Sequence, residues 1–354
     1  MKLIKFPSIE QFRSTIYAIN HHYNYIGKDE NDEPMFDISK EKPTLTFNGT
    51  IKLHGTCASI CYNDYNMWVQ SRKQIITPLK DNAGFAFFVE SKEDFFIDIF
   101  KEIKEKNNID TSKNTISLYG EWAGTGIQSK VAICNIPKTF FIFGIKISEI
   151  LEENSEETGL NYWVDCSGYK NNEHRIYNIN DFKIYTIDID FNHPELSQNK
   201  IIEQTLEVED ECPVAKEFGF SGLGEGIVYT YIKPDTELSD QTIYRFKSKG
   251  LLHSKSSKVK TLKPVDNDKI NKLREMAERV TPEWRLEQSL NEVCDLNNGG
   301  EIERRKIPDF IRSVLKDIVK EEMDILVEAG IEPKQINKYV SDISRKYFFN
   351  QEKV

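Results

Sequence analysis

The apolar pattern of this chain changes period once, at about Pro264, and that change limits its architecture more than any other feature. Between Thr44 and residue 250 short alternating or wholly apolar runs recur: Thr44–Phe47, Ala58–Tyr62, Met67–Gln70, Ile116–Tyr119, Phe140–Ile147, Lys183–Ile187, Ile227–Ile232 and Ile243–Phe246. Alternation with period two is the mark of strands. Turn signals such as Asn48-Gly49 and Asn63-Asp64 separate the runs. Helical spacing interrupts them at Lys92–Lys106 and Ser197–Glu207, and a short helical pattern, with Ser8 placed to cap it, covers Ser8–Phe12. Beyond Pro264 the period becomes helical over 267–281, 283–296, 308–328 and 333–348, with Asp266, Thr281 and Pro282 as start signals and Gly330 as a stop. The expectation is an α+β fold: an antiparallel-sheet domain over 1–253, a Ser/Lys-rich linker over 254–264, and a smaller all-α domain over 265–354. No internal repeat interrupts this reading.

Charge narrows the partners. The 354 residues carry a net charge of −10, which argues against a polyanionic partner only if the charge is evenly spread. It is not. Arg245, Lys247, Lys249, Lys255, Lys258, Lys260 and Lys263 succeed one another with no acidic residue between, while acids gather at 152–157 and 207–211. Such a stripe suits phosphates, or is simply a solvated basic loop. No apolar run reaches the ~18 residues of a membrane helix, and Met1–Phe6 is too short for a secretion signal. Six cysteines without a C-x-x-C pair argue against zinc and against a disulfide framework, so a reducing compartment, the cytoplasm, is expected.

The most informative segment is Thr50-Ile51-Lys52-Leu53-His54-Gly55-Thr56. A lysine leaves a strand three residues before a glycine that lets the backbone approach a ligand closely. Set in a partly buried pocket, such a lysine can act as a nucleophile. Alone, K-x-x-G is common by chance. Its value rises with the ordered series of segments downstream. Ser71-Arg72-Lys73 comes first, then Ser117-Leu118-Tyr119-Gly120-Glu121-Trp122-Ala123-Gly124, then the aromatic strand Lys138–Gly144. Gly224-Glu225-Gly226-Ile227-Val228 is next, and Arg245-Phe246-Lys247-Ser248-Lys249-Gly250 is last.

In order and spacing these segments resemble motifs I, Ia, III, IIIa, IV and V of the covalent nucleotidyltransferases, which comprise polynucleotide ligases and mRNA capping enzymes. The finer resemblance is to the RNA ligase 2 family of phage double-strand RNA ligases and RNA-editing ligases. It rests on K-x-H-G at Lys52–Gly55, on Tyr119–Gln128, which is similar to that family's G-E-x-A-G-x-G-I-Q, and on helical sequence where DNA ligases and capping enzymes carry an OB-fold.

The resemblance implies an ATP-grasp-like nucleotidyltransferase domain and an ATP-dependent RNA ligase that seals 3′-OH and 5′-phosphate ends through lysyl-AMP and RNA-adenylate intermediates, with Mg²⁺ or Mn²⁺. It also implies a monomer whose partner is broken or nicked RNA, as in RNA repair; the compact layout would suit a virus, acting in the host cytoplasm. Lys52 would be the nucleophile. Ile51, Leu53, His54 and Gly55 would flank the nucleotide, Glu121 would accept from ribose hydroxyls, and Phe143 would stack on adenine. Lys247 and Lys249 would hold the α-phosphate and help to lower the pKa of Lys52, and Glu225 would bind the metal. Arg72 would contact the phosphate of AMP or of the RNA end, and Lys255, Lys258 and Lys260 the RNA backbone. Residues alone leave other options open: His54 as a turn histidine, and Phe140, Phe141 or Phe143 as the stacking ring. A DNA ligase, a capping guanylyltransferase or an inactive nucleic-acid binder would also use parts of this set. Two positions depart from the family pattern: Cys57, where Asn is common, and Gly144, where an acidic residue ends the aromatic strand.

Overall fold

The computed structural model describes residues 1–29, 32–81, 83–151, 159–231, 238–239, 244–252, 262–296 and 299–352. The strands in chain order are β1 (Glu10–Gln11), β2 (Tyr25–Lys28), β3 (Pro34–Phe36), β4 (Thr44–Lys52), β5 (Thr56–Asn63), β6 (Asn66–Ser71), β7 (Ile75–Ile76), β8 (Asn114–Ala123), β9 (Thr139–Glu149), β10 (Asn161–Val164), β11 (Ile176–Asn178), β12 (Tyr185–Asp190), β13 (Gly226–Tyr231), β14 (Leu238–Ser239) and β15 (Arg245–Lys249). The chain forms two units, Met1–Ile16 with Thr44–Asp190 and Ser197–Lys263, and Tyr17–Pro43 with Phe191–Leu196 and Pro264–Val354. The second unit thus takes in two stretches that the sequence pattern assigns to the first.

The first unit holds two sheets. One has the order β1-β15-β13-β4-β12; the other runs β14-β10-β9-β8-β5-β6-β7, with β11 pairing β9. Most pairs are antiparallel, and between β5 and β6 the two-residue connection allows nothing else. The Asn63-Asp64 turn forms: Asn63 Oδ1 accepts from the amides of Tyr65 and Asn66 at 3.0 and 2.9 Å, an Asx turn that joins β5 to β6. Asn48-Gly49 does not turn but lies inside β4, where a Cβ on residue 49 would come within 2.8 Å of Ile227 and Tyr229 across the sheet. That glycine serves packing and not a bend.

Helix α2 (Phe85–Glu90) and helix α3 (Glu93–Lys106) belong to the core of the eight-stranded sheet. Phe96, Ile99, Phe100 and Ile103 are buried at helical spacing among Ile60, Ile116, Leu118 and Ile147. Helix α4 (Gln198–Asp210) is bonded to the five-stranded sheet: Tyr229 Oη donates to Gln204 Oε1 at 2.8 Å, and Thr205 Oγ1 to Ser248 Oγ at 2.8 Å. Helix α5 is Pro213–Glu217. The N-terminal helix α1 begins at Phe12, not Ser8, and runs to Asn24. The two residues before it pair parallel with β15, so ladder bonds displace the expected first turn.

Within the second unit lie the β2–β3 ribbon and helices α6 (Asn267–Val280), α7 (Glu283–Cys294), α8 (Ile307–Glu321), α9 (Met323–Glu328) and α10 (Pro333–Gln351). Asp266 caps α6 by accepting from Lys269 N at 2.9 Å, and Gly330, at φ +67°, lies just past the end of α9. The single helix expected over 308–328 is broken at Glu322, whose carboxylate takes Nη2 of buried Arg285 at 2.7 Å. Leu273, Leu290, Phe310, Val314, Leu326, Val340 and Phe348 form this unit's core. The expected linker falls largely on residues 253–261, outside the described ones. Among the described residues no helix is long and apolar enough to cross a membrane.

Candidate functional site

β4 ends at Lys52, and a few residues later the chain enters β5 in the other sheet, so Lys52 stands where the sheets join. The connection is tight. A Cβ on residue 55 would lie 2.3 Å from Trp122 O and 2.9 Å from Ala123 Cβ, which only glycine avoids. Gly55 N donates to Glu121 Oε1 at 2.8 Å, fixing the turn to β8.

Register explains the charge cluster. β13 lies between β4 and β15, and Gly226 pairs with both Lys52 and Lys249. The residue before it, Glu225, therefore meets both lysines: Oε1 lies 2.8 Å from Lys52 Nζ and 2.5 Å from Lys249 Nζ, and Oε2 lies 3.6 Å from His54 Nδ1. Glu225 is only 3% exposed. Burial alone would push its carboxyl up, but the neighbouring His54 imidazole and the charges of Lys52 and Lys249 outweigh it and hold the group well below the usual carboxylate range. Glu225 is thus a buried carboxylate paired with two ammonium groups.

A cavity opens between the sheets beside this cluster. Ile51, Lys52, Leu53, Thr50, Val228, Thr230, Arg245 and Lys247 line it from the five-stranded side. Cys57, Glu121, Phe141 and Phe143 line it from the other, with Arg72 just beyond β6. Phe141 and Phe143 share the cavity face while Phe140 packs into the core against Phe85, as alternation along β9 requires. Burial pushes the Glu121 carboxyl up to about 7, against the opposing pull of Lys52 and the Gly55 amide. It pushes the Cys57 thiol up to about 12, with Glu121 adding to the effect, so that thiol is no rival nucleophile. Lys247 is lowered by burial and by the neighbouring charges of Lys249 and Lys52.

The structure brings Ile51, Lys52, Leu53, His54, Gly55, Arg72, Glu121, Phe143, Glu225, Lys247 and Lys249 to one place. Lys255, Lys258 and Lys260 lie outside the described residues. Sequence reasoning missed the N-terminal segment. Phe6, Pro7 and Ile9 line the cavity; Ser8 Oγ accepts from Arg72 Nη2 at 3.3 Å, and Ile9 O accepts from Lys247 Nζ at 2.5 Å. No local motif marks these residues, because their partners are far away in the chain. For a divalent cation the fit is a partial one: among the described residues no group of three or more His, Cys, Asp or Glu could hold a metal, and the cluster supplies one strongly anionic carboxylate.

Among solved structures the chain is similar to a Naegleria gruberi RNA ligase with pyrophosphate, at 15% identity and a TM-score of 0.41, covering 72% of this chain and 58% of that one. Single-residue variants of that ligase match as well: one with AMP and Mn at 15% identity and 0.40 (70% and 56% covered), another with ATP and Mn at 14% and 0.41 (72% and 58%). The chain thus spans less than three fifths of the length of these structures. A comparison with curated proteins found no match. The sequence model of the RNA ligase family matches residues 46–249, more than half of the chain and the stretch from β4 to β15 that carries Lys52, Glu121, Glu225 and Lys247, and the chain belongs to that family.

Proposed function

We propose that this protein is an ATP-dependent RNA ligase that joins 3′-OH to 5′-phosphate ends through a lysyl-AMP intermediate on Lys52. The observation that carries the reading is the convergence of Lys52, Lys249 and Glu225 beside a cavity lined by Arg72, Lys247, Glu121 and Phe143. Cations there suit a triphosphate, and the aromatic wall suits a base.

Lys52 Nζ attacks the α-phosphorus. A P–N bond forms, the bond to the bridging oxygen breaks, pyrophosphate leaves with the electron pair, and the proton lost from Nζ passes to water. The attacking amine has to be neutral, and a carboxylate held as low as Glu225 is a poor proton acceptor, so its part is to aim Nζ. Lys247 and Lys249 hold the α-phosphate as charge shifts, the main way a protein aids phosphoryl transfer. Lys247 can exchange the Ile9 carbonyl for phosphate. One oxygen of Glu121 is engaged with Gly55 N, which leaves the other for a ribose hydroxyl. A bound Mg²⁺ or Mn²⁺ would neutralise phosphate charge; Glu225 would hold it directly or through water, together with the nucleotide phosphates, in keeping with the few protein ligands Mg²⁺ uses.

Arg72, the lysines 255, 258 and 260, and helices α6–α10 are the parts assigned to RNA. Helices instead of an OB-fold speak against the DNA ligase and capping alternatives. A monomer acting in the cytoplasm belongs to the same reading. The test is to incubate the protein with labelled ATP, GTP or NAD and track covalent label. ATP alone should mark the wild type, and Lys52→Ala should take no AMP by mass spectrometry yet keep some sealing of pre-adenylylated RNA. An AMP adduct on Lys52→Ala would end the assignment.

A further inference from the structure

The cavity contains a group that none of these roles uses. β15 carries Lys249, Lys247 and Arg245 on one face. At about 6.8 Å per two residues, Arg245 stands roughly 13 Å along the strand from Lys249. That places it away from the lysine–glutamate cluster, where the base of a nucleotide would lie if its α-phosphate met Lys52. The guanidinium is held from several sides: its carbon lies 4.8 Å from the Trp163 ring centroid and 5.4 Å from that of Phe6, and Nε donates to Thr230 Oγ1 at 3.3 Å. Arg245, Thr230, Phe6 and Phe143 all line the cavity, and Phe6 meets Phe143 edge to face at 5.0 Å. Gly144 makes room for this arrangement, since a Cβ there would lie 3.0 Å from Trp163 Cζ3. One of the chain's two departures from the family pattern thus admits the ring that supports Arg245.

We propose that Arg245 reads the nucleobase: it donates to an acceptor nitrogen of the purine ring, N1 or N7, while Phe143 takes the ring face. This rests on reading the cavity as a nucleotide site. A guanidinium is a donor only, so the edge it meets must accept. Contacts to two rings and to Thr230 fix its plane before binding, which lessens the entropy cost of recognition. Thr230 Oγ1 stands beside it to accept from an exocyclic amine. A charge-assisted bond of this kind changes affinity by roughly 10- to 100-fold.

The experiment is a double-substitution cycle read by calorimetry, with AMP, 1-deaza-AMP and 7-deaza-AMP titrated into the full-length wild type and Arg245→Gln. The wild type should bind AMP roughly 10-fold or more tighter than one deaza analogue. Arg245→Gln should bind AMP and that analogue alike, while the other analogue behaves as AMP does in both proteins. An equal loss for all three nucleotides in the variant would mean that Arg245 only holds the cavity together, and would overturn the proposal. So would a wild type that binds no AMP or does not distinguish the analogues. If Arg245→Gln does not fold, Arg245→Lys keeps a charge against both rings without the fork and serves in the same cycle. A wild type that shows this selectivity but forms no adduct with labelled ATP would remove the ligase reading and leave the assignment of Arg245 standing.

Discussion

Replacing Glu225 by Gln tests the cluster at its centre. The carboxylate has two ammonium groups at 2.8 and 2.5 Å, and each contact is worth roughly 6–7 kcal/mol at an effective dielectric constant of about 20. Desolvation of the buried carboxylate cancels much of that. The residual balance favours the anion, since the group is held well below the usual carboxylate range. Gln keeps the shape and removes the charge, leaving Lys52 and Lys249 without it. Breaking a fully buried pair costs about 3–5 kcal/mol. Here the lysine side chains are 22% and 21% exposed and recover part of their hydration, so we expect about 2–3 kcal/mol. For a unit of this size that lowers Tm by roughly 5–10 °C.

The acid dependence comes from the depressed pKa. The stability Glu225 supplies is present above its unfolded value of about 4.3 and is lost as pH falls toward its folded one. The gap between wild type and Glu225→Gln should therefore be full at pH 7 and shrink below about pH 4. Denaturant midpoints can be read by tryptophan fluorescence, because Trp68, Trp122 and Trp163 are buried in the first unit while Trp284 is exposed in the second. Pyrophosphate without metal should raise the variant's midpoint more than that of the wild type, because it supplies the missing negative charge to the lysines. Equal midpoints at pH 7, or a gap unchanged in acid, would refute this account of the cluster.

Three further outcomes are expected. Gly55→Ala places a Cβ 2.3 Å from a backbone oxygen that cannot move aside cheaply; thermal unfolding should show a loss of about 1–3 kcal/mol, and AMP labelling should fail with it. Glu121, raised to about 7, costs the folded state stability as pH climbs from about 4.5 through 7, on the order of 2–3 kcal/mol; Glu121→Gln keeps the acceptor for Gly55 N and should flatten that slope in denaturant midpoints at pH 5 and pH 8. Replacing Lys255, Lys258 and Lys260 with Gln should reduce the slope of log K for RNA against log salt by roughly 0.7–0.9 for each phosphate no longer neutralised, measured by fluorescence anisotropy, with AMP labelling unchanged.

The candidate site is legible in the sequence wherever residues announce themselves by type and local spacing. Lys52 before Gly55, and Glu225 between two glycines, stand in the sequence much as they stand in the site. Alternation along β9 also separates Phe143 from Phe140, though not from Phe141. Local pattern does not carry the register between distant strands. Lys249 and Lys52 are 197 positions apart in numbering, and only the pairing of Gly226 with both sets them on one carboxylate. The N-terminal segment departs from its local pattern for the same reason: Ser8–Phe12 fits a helix start by itself, but Glu10 and Gln11 gain ladder bonds from Phe246 and Lys247. Helix α2, the run Phe85-Ala86-Phe87-Phe88-Val89-Glu90, is too short and too apolar to show a period. Arg245 is the sharpest case. In sequence it is one more cation in a basic stripe. Trp163 comes to it from the other sheet, across the face that Gly144 leaves without a side chain. A glycine that reads as the loss of an acidic group is, in the folded chain, the space into which an aromatic ring fits.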